Sequence, residues 1–178
     1  MIYAVLLRGV NVGGSRKVAM PDLRRVLESL GHTDVATYLQ SGNAIVTTDE
    51  SDPGSLERRI EKALQTDLGV DTHVLVRTHD ELSAVIEANP FPGPVAEPKF
   101  QHVVFLASEP TAEARKKIDP GAFAPDEVRF GDRSIYVRYA NGQGRSKLTP
   151  SVWERLKVAA TARNWNTVLE LARRTAEG

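Results

Sequence analysis

The chain has 178 residues, 41% hydrophobic and 26% charged, enough to bury an ordinary core as one domain or two small ones. Lys plus Arg and Asp plus Glu both total 23, which leaves no overall basic field for non-specific nucleic-acid binding. The absence of cysteine excludes disulfides, thiolate metal ligands and Cys nucleophiles, and no apolar run approaches the roughly 18 residues that span a bilayer.

With no basic signal region in Met1-Ile2-Tyr3-Ala4, the expectation is a cytoplasmic protein without a membrane partner. Residues 2–7 are apolar on both faces, as a central strand under helices is. They empty into Arg8-Gly9-Val10-Asn11-Val12-Gly13-Gly14-Ser15-Arg16-Lys17. Met20, Leu23, Val26, Leu27 and Leu30 then make a helical stripe, with Pro21 in its first turn and Gly31 at its end. Residues 35–39 and 44–47 read as strands around a Gln40-Ser41-Gly42-Asn43 turn. A second helix opens on Asp52 as cap and Pro53, and carries Leu56, Ile60, Leu64 and Leu68. Residues 73–77 close the half as a strand. The order strand, helix, strand, strand, helix, strand predicts a ferredoxin-like unit over residues 1–78.

Thr78-His79-Asp80-Glu81 has the form of a capping box and opens a connecting helix, which Asn89-Pro90-Phe91-Pro92-Gly93-Pro94 stops. Residues 79–99 thus read as connecting helix and linker, and 100–178 as a second unit. There the sequence predicts a strand at 103–106, a helix at 111–118 and a hairpin about Gly131-Asp132. A helix follows from Pro150, with Thr149 as cap and Val152, Leu156, Ala159 and Ala160 inward, and then a last helix entered through Asn164-Trp165-Asn166-Thr167. That helix stands where a fourth strand is expected. The fold class expected is α+β: two ferredoxin-like (α-β plait) units, each a mostly antiparallel sheet covered by helices.

Several segments carry a family resemblance. Leu6-Leu7-Arg8-Gly9-Val10-Asn11-Val12-Gly13-Gly14, Met20-Pro21-Asp22-Leu23, Gln40-Ser41-Gly42-Asn43, Asn89-Pro90-Phe91-Pro92 and Thr161-Ala162-Arg163-Asn164-Trp165-Asn166-Thr167 are similar to a widespread bacterial family, domain of unknown function 1697. The resemblance covers nearly the whole chain. It implies a pair of α-β plait units and implies no activity, cofactor or catalytic residue.

The candidate chemistry therefore rests on the residues themselves. In a ferredoxin-like unit the first two strands are parallel, so their following loops share one edge of the sheet. Arg8, Asn11, Gly13, Gly14, Lys17, Gln40, Ser41 and Asn43 are then expected to converge on one small anionic, phosphate-bearing or nucleotide-like ligand. The competing reading is conformational: Gly9, Gly13 and Gly14 let the chain turn, and Asn11 and Asn43 satisfy backbone groups. The glycine spacing matches neither the Walker pattern nor the dinucleotide fingerprint. Ser146 and Lys147, within Gly142-Gln143-Gly144-Arg145-Ser146-Lys147, and Arg163 with Asn164 at a helix start are further anion candidates. Asn164 or Asn166 as a cap and Trp165 as a packing anchor is the structural alternative. The histidines at 32, 73, 79 and 102 have no metal-type spacing, and no metal or cofactor is expected. Two other classes stay open: a metal-independent enzyme using Lys17, Lys147 or Arg163 to stabilise developing charge, and a regulatory protein-interaction module pairing through exposed sheet edges. The sequence does not specify an oligomeric state.

Overall fold

In the computed structural model of the protein, which describes residues 1–14, 16–91, 93 and 97–176, the opening apolar run forms β1 (Ile2–Leu7). Ser15 of the glycine loop and Pro92 and Pro94 of the linker lie outside the described residues. The chain continues through α1 (Met20–Ser29), β2 (Thr33–Tyr38), β3 (Asn43–Thr47), α2 (Pro53–Leu68), β4 (Val74–Arg77) and α3 (His79–Glu87). It then forms β5 (Gln101–Leu106), α4 (Ala112–Arg115), β6 (Glu127–Gly131), β7 (Ser134–Arg138), α5 (Pro150–Glu154), β8 (Ala160–Asn164) and α6 (Trp165–Ala176). The result is mixed α+β, with two four-stranded antiparallel sheets. No helix among the described residues is long and apolar enough to cross a membrane.

Two units divide the chain: Met1–Leu82 with Leu171–Gly178, and Ser83–Glu170. In the first, strand order is β2-β3-β1-β4. Alternation along β1 sends Tyr3, Val5 and Leu7 to the helix side, where they pack with Leu23, Val26 and Leu27 of α1 and Leu56, Ile60 and Leu64 of α2. Each such fully buried side chain contributes about 1.5–3 kcal/mol. Helix α2 begins where Asp52 Oδ2 accepts from Ser55 N at 3.0 Å and ends at Gly69, left-handed at φ 66°. The last turns of α6 also belong to this unit, and His79 Nδ1 lies 2.9 Å from the Ala172 carbonyl oxygen.

Helix α2 also protects a sheet edge. The outward N–H groups of edge strand β4, at Val74 and Val76, donate to Glu61 and Glu57, each at 2.9 Å. Glu57 lies in the charged run Glu57-Arg58-Arg59, yet with Glu61, one turn on along α2, it occupies donors that another strand would need.

The second unit has order β6-β7-β5-β8, and here several expectations are corrected. The helix from Pro150 stops at Glu154, with Lys157 left-handed at φ 60°, and Ala160–Asn164 is the fourth strand, antiparallel to β5. Ala159 and Ala160 are therefore not on that helix. Its buried alternate residues are Thr161 and Arg163, so a polar side chain stands where an apolar alternation would have marked a strand. Thr149 makes no side-chain cap, and its hydroxyl lies 2.7 Å from Ser151 Oγ. The helix expected over 111–118 is only Ala112–Arg115, capped by Thr111.

Placed register against register, the two sheets repeat a detail. Ala4 faces Arg77 across the β1–β4 pair, and Val103 faces Arg163 across the β5–β8 pair, each the third residue of its central strand. Both arginines are buried, and each donates Nη1 to the carbonyl of the residue before it, Val76 at 2.9 Å and Ala162 at 2.8 Å. Each is followed by a capping residue and a helix. Thr78 N donates to Glu81 Oε2 at 2.8 Å while Glu81 N donates back to Thr78 Oγ1 at 3.3 Å, and Thr167 N donates to Asn164 Oδ1 at 2.9 Å.

Candidate functional site

Strand β1 continues past Leu7 as a backbone pair: Arg8 N donates to the His73 carbonyl at 2.9 Å, and Thr72 Oγ1 donates to the Arg8 carbonyl at 2.5 Å. Beyond it the chain turns back, with Asn11 N donating to the Arg16 carbonyl at 3.1 Å. The Asn11 side chain fastens the turn. Its Nδ2 donates to the Val18 carbonyl at 2.8 Å and the Gln40 carbonyl at 2.6 Å, and its Oδ1 accepts from Val18 N at 2.8 Å. One amide thus ties the start of the loop to its end and to the β2–β3 hairpin. The two segments are neighbours, as the parallel direction of β1 and β2 requires.

The other turn asparagine is also committed. Asn43 is fully buried, and its Nδ2 donates to the Tyr38 carbonyl and to Ser41 Oγ, both at 2.9 Å. An amide cannot take a proton from Ser41, so this contact supplies no base for a nucleophile. Asn11 and Asn43 therefore act as clasps, the conformational role weighed for them above. Facing solvent beside the clasp is a cleft of about 360 Å³ lined by Asn11, Gly14, Lys17, Val18, Ala19 and Gln40. Gly13 and Gly14 are exposed and left-handed, at φ 61° and 80°, with open space where a side chain would stand. Their N–H groups meet no acceptor among the described residues. Lys17 is exposed on the same rim, while Arg8 is half-buried at the loop's root. Val18 was not foreseen as part of the site; its signal lay in the Asn11 to Val18 spacing, which only the closed loop makes meaningful.

The remaining candidates lie in the second unit, on separate elements. Ser146 Oγ donates to Asp126 Oδ2 at 2.7 Å and accepts from Leu148 N at 2.9 Å, while Asp126 Oδ1 accepts from Ala140 N at 2.8 Å. That arrangement ties two loops together. Lys147 is exposed beside a crevice of about 90 Å³ shared with Arg145 and Asp126. Arg163 is a strand residue rather than a helix-start one, and its Nη1 also donates to Thr161 Oγ1 at 2.8 Å. Burial pushes its pKa down to about 10, which leaves it protonated at neutral pH. Asn164 caps α6.

The histidines do not assemble: among the described residues no group of three or more His, Asp or Glu side chains is placed to hold a metal. Two are buried. His102 stands edge-on to Tyr139, ring centres 5.0 Å apart, with Nε2 3.2 Å from the Lys99 carbonyl. A carbonyl only accepts, so Nε2 carries the proton and the buried Nδ1 is bare; among the described residues it has no partner, and neither has His32 Nε2. Burial lowers the pKa of both rings, and Arg59 lowers that of His32 further. Below an unfolded pKa of about 6.5 the unfolded chain binds protons that the folded one refuses, so stability is full above that pH and falls as pH drops toward the folded values. Urea midpoints are expected to fall between about pH 7.5 and about pH 5.5, with a shallower fall in His102→Gln. Parallel slopes for variant and parent assign the acid sensitivity to other groups.

A family model described as a protein of unknown function (DUF1697) matches residues 1–136. The chain belongs to this family. The DUF1697 match holds the glycine loop, the hairpin and the clasp between them, and ends before Ser146, Arg163 and Asn164. Among solved structures, the conserved bacterial protein SP0830 from Streptococcus pneumoniae is similar over 98% of both chains, with a TM-score of 0.68 at 22% identity, a likeness of fold. No curated protein matches the chain.

Proposed function

We propose that the loop–hairpin end of the first unit binds a small phosphate-bearing anion, and that each unit is a ferredoxin-like α-β plait. The plait reading is supported by the strand orders β2-β3-β1-β4 and β6-β7-β5-β8, each with its third strand between the first two. The observation that carries the binding reading is the Asn11 clasp. It fixes a glycine turn whose outward amides stand beside Lys17 at an open cleft, and fixed donors lose little entropy when they bind an anion. Arg8 at the root of the loop adds positive potential.

Binding is favoured over the two alternative classes. The clasped asparagines donate and cannot serve as a base, and at one sheet edge, β4, the Val74 and Val76 N–H groups that pairing with another chain would need are taken by Glu61 and Glu57. Calorimetry with inorganic phosphate and with a nucleoside monophosphate tests the reading. Lys17→Ala and Arg8→Ala are each expected to weaken binding by about 1.5–3 kcal/mol, the scale of a hydrogen bond to a charged group. Lys17→Ala is expected to fold as the parent does, since that side chain is exposed. No heat with either anion, or unchanged affinity in Lys17→Ala, refutes the proposal.

A further inference from the structure

The other face of the first sheet carries a different cavity. Asp34 and Ala36 of β2, Ile45 and Thr47 of β3 and Ile2 of β1 floor a trough of about 780 Å³, and Arg173 and Arg174 from the last turns of α6 wall it. All belong to the first unit. A small residue, Ala36 on β2, lies in register beside Ile45 and leaves the floor low there. Along β2 the same face continues to Tyr38, over whose ring the Arg174 guanidinium sits 4.7 Å from the centroid. Stacking of this kind fixes the plane of a guanidinium and directs its N–H donors outward along that plane.

Two basic residues in a last helical turn also complement the helix dipole, but that does not need a hollow opposite them. The two sides of the trough differ in chemistry. Its floor of Ile2, Ala36 and Ile45 is apolar, one wall is cationic, and Asp34 with Thr47 at the far end accepts hydrogen bonds. The volume falls in the range that holds a metabolite-sized molecule.

We infer that this trough is a second binding site, for an amphipathic aromatic anion whose ring lies on Ile2, Ala36 and Ile45 and whose phosphate or carboxylate meets Arg173 and Arg174. The site is independent of the glycine-loop cleft. Its floor lies at the Ile2 and Thr47 ends of β1 and β3, whereas the loop leaves β1 after Leu7. A ligand of this class carries an apolar body to displace water from the sheet and a planar anion to engage the guanidinium edges. Neither inorganic phosphate nor a neutral ring satisfies both halves of the site.

The test is a two-dimensional NMR titration of the full chain with 2-naphthyl phosphate, 2-naphthol and inorganic phosphate. The aromatic phosphate is expected to shift the Ala36 and Ile45 amides at lower concentration than the other two. Replacing both arginines (Arg173→Gln with Arg174→Gln) is expected to weaken it about tenfold or more, as loss of a charge-assisted hydrogen bond does. Because that change also removes the Tyr38 stack, Ala36→Leu provides a second variant, which fills the floor, keeps both charges and is also expected to abolish the shifts. Lys17→Ala is expected to leave this affinity within about twofold, whatever becomes of phosphate binding at the glycine loop. Shifts confined to Gly14 and Lys17, equal response to naphthol or inorganic phosphate, or unchanged affinity in both trough variants overturns the inference.

Discussion

Replacing Trp165 by alanine is expected to lower the unfolding free energy by about 3–5 kcal/mol, the usual result of emptying the space of a large buried aromatic ring. Trp165 is the first residue of α6 and only 6% of it is exposed. It follows the capping Asn164 and sits three residues before Val168, which is fully buried, so the ring anchors the helix at the point where the chain leaves β8. Asn164→Ala separates anchor from cap: losing that hydrogen bond costs about 0.5–2 kcal/mol and leaves no cavity. Denaturant unfolding of both variants gives the two numbers. A loss under about 1 kcal/mol for Trp165→Ala refutes the anchoring role, because no well-packed buried indole is removed so cheaply.

Much of the first unit was legible in the sequence because its signals are local. Asp52-Pro53 opened α2 and the spacing of Leu56, Ile60 and Leu64 continued it, while Thr78 with Glu81 formed the expected capping box. Direction was legible too: parallel β1 and β2 brought the glycine loop to the hairpin, and Asn11 bonds the two directly. The second unit concealed its last strand because the residues it buries on one face are Thr161 and Arg163. A polar alternation gives no hydrophobic period, and Arg163 is buried on a strand where its guanidinium bonds near neighbours, Thr161 Oγ1 and the Ala162 carbonyl. The same reason left the likeness of the two units legible in element order alone, without a match of residues. Arg77 and Arg163 match by register and by the cap that follows each, whereas Leu75 and Thr161, two positions earlier, share no chemistry.

Sequence reasoning also could not say which polar side chains of the candidate site are spent on the fold. Asn11 and Asn43 look like ligand groups until their amides are followed to carbonyls, and Ser146 until its hydroxyl is followed to Asp126. The Asn11 to Gln40 and Ser146 to Asp126 bonds join residues distant in the chain, so no spacing announces them. Arg173 and Arg174 show the converse. In sequence they are two surface arginines at the end of an amphipathic helix, and only the folded sheet sets them beside the hollow at Ala36 and Ile45.

Gly42→Ala is expected to cost about 2–5 kcal/mol, combining about 1–2 for an L-residue held left-handed with about 1–3 for overpacking. Gly42 has φ 84°, and a Cβ there would stand 2.6 Å from Val10 Cγ2 and 2.9 Å from Leu7 Cβ. Neither neighbour can retreat easily. Leu7 ends the central strand and its N–H donates to the Gly42 carbonyl at 2.9 Å, and both Leu7 and Val10 are buried in the core. The hairpin must therefore lift from the loop, which pulls Gln40 away from Asn11 and opens the clasp beside the glycine-loop cleft. Gly14→Ala is the matched comparison, since φ there is 80° but nothing lies within 4 Å of the added carbon. It is expected to cost only the conformational part, about 1–2 kcal/mol. Unfolding measurements on the pair isolate the close approach, and phosphate affinity of the folded fraction reads the clasp. Equal losses in the two variants would mean that the contact with Leu7 and Val10 does not hold the hairpin against the loop.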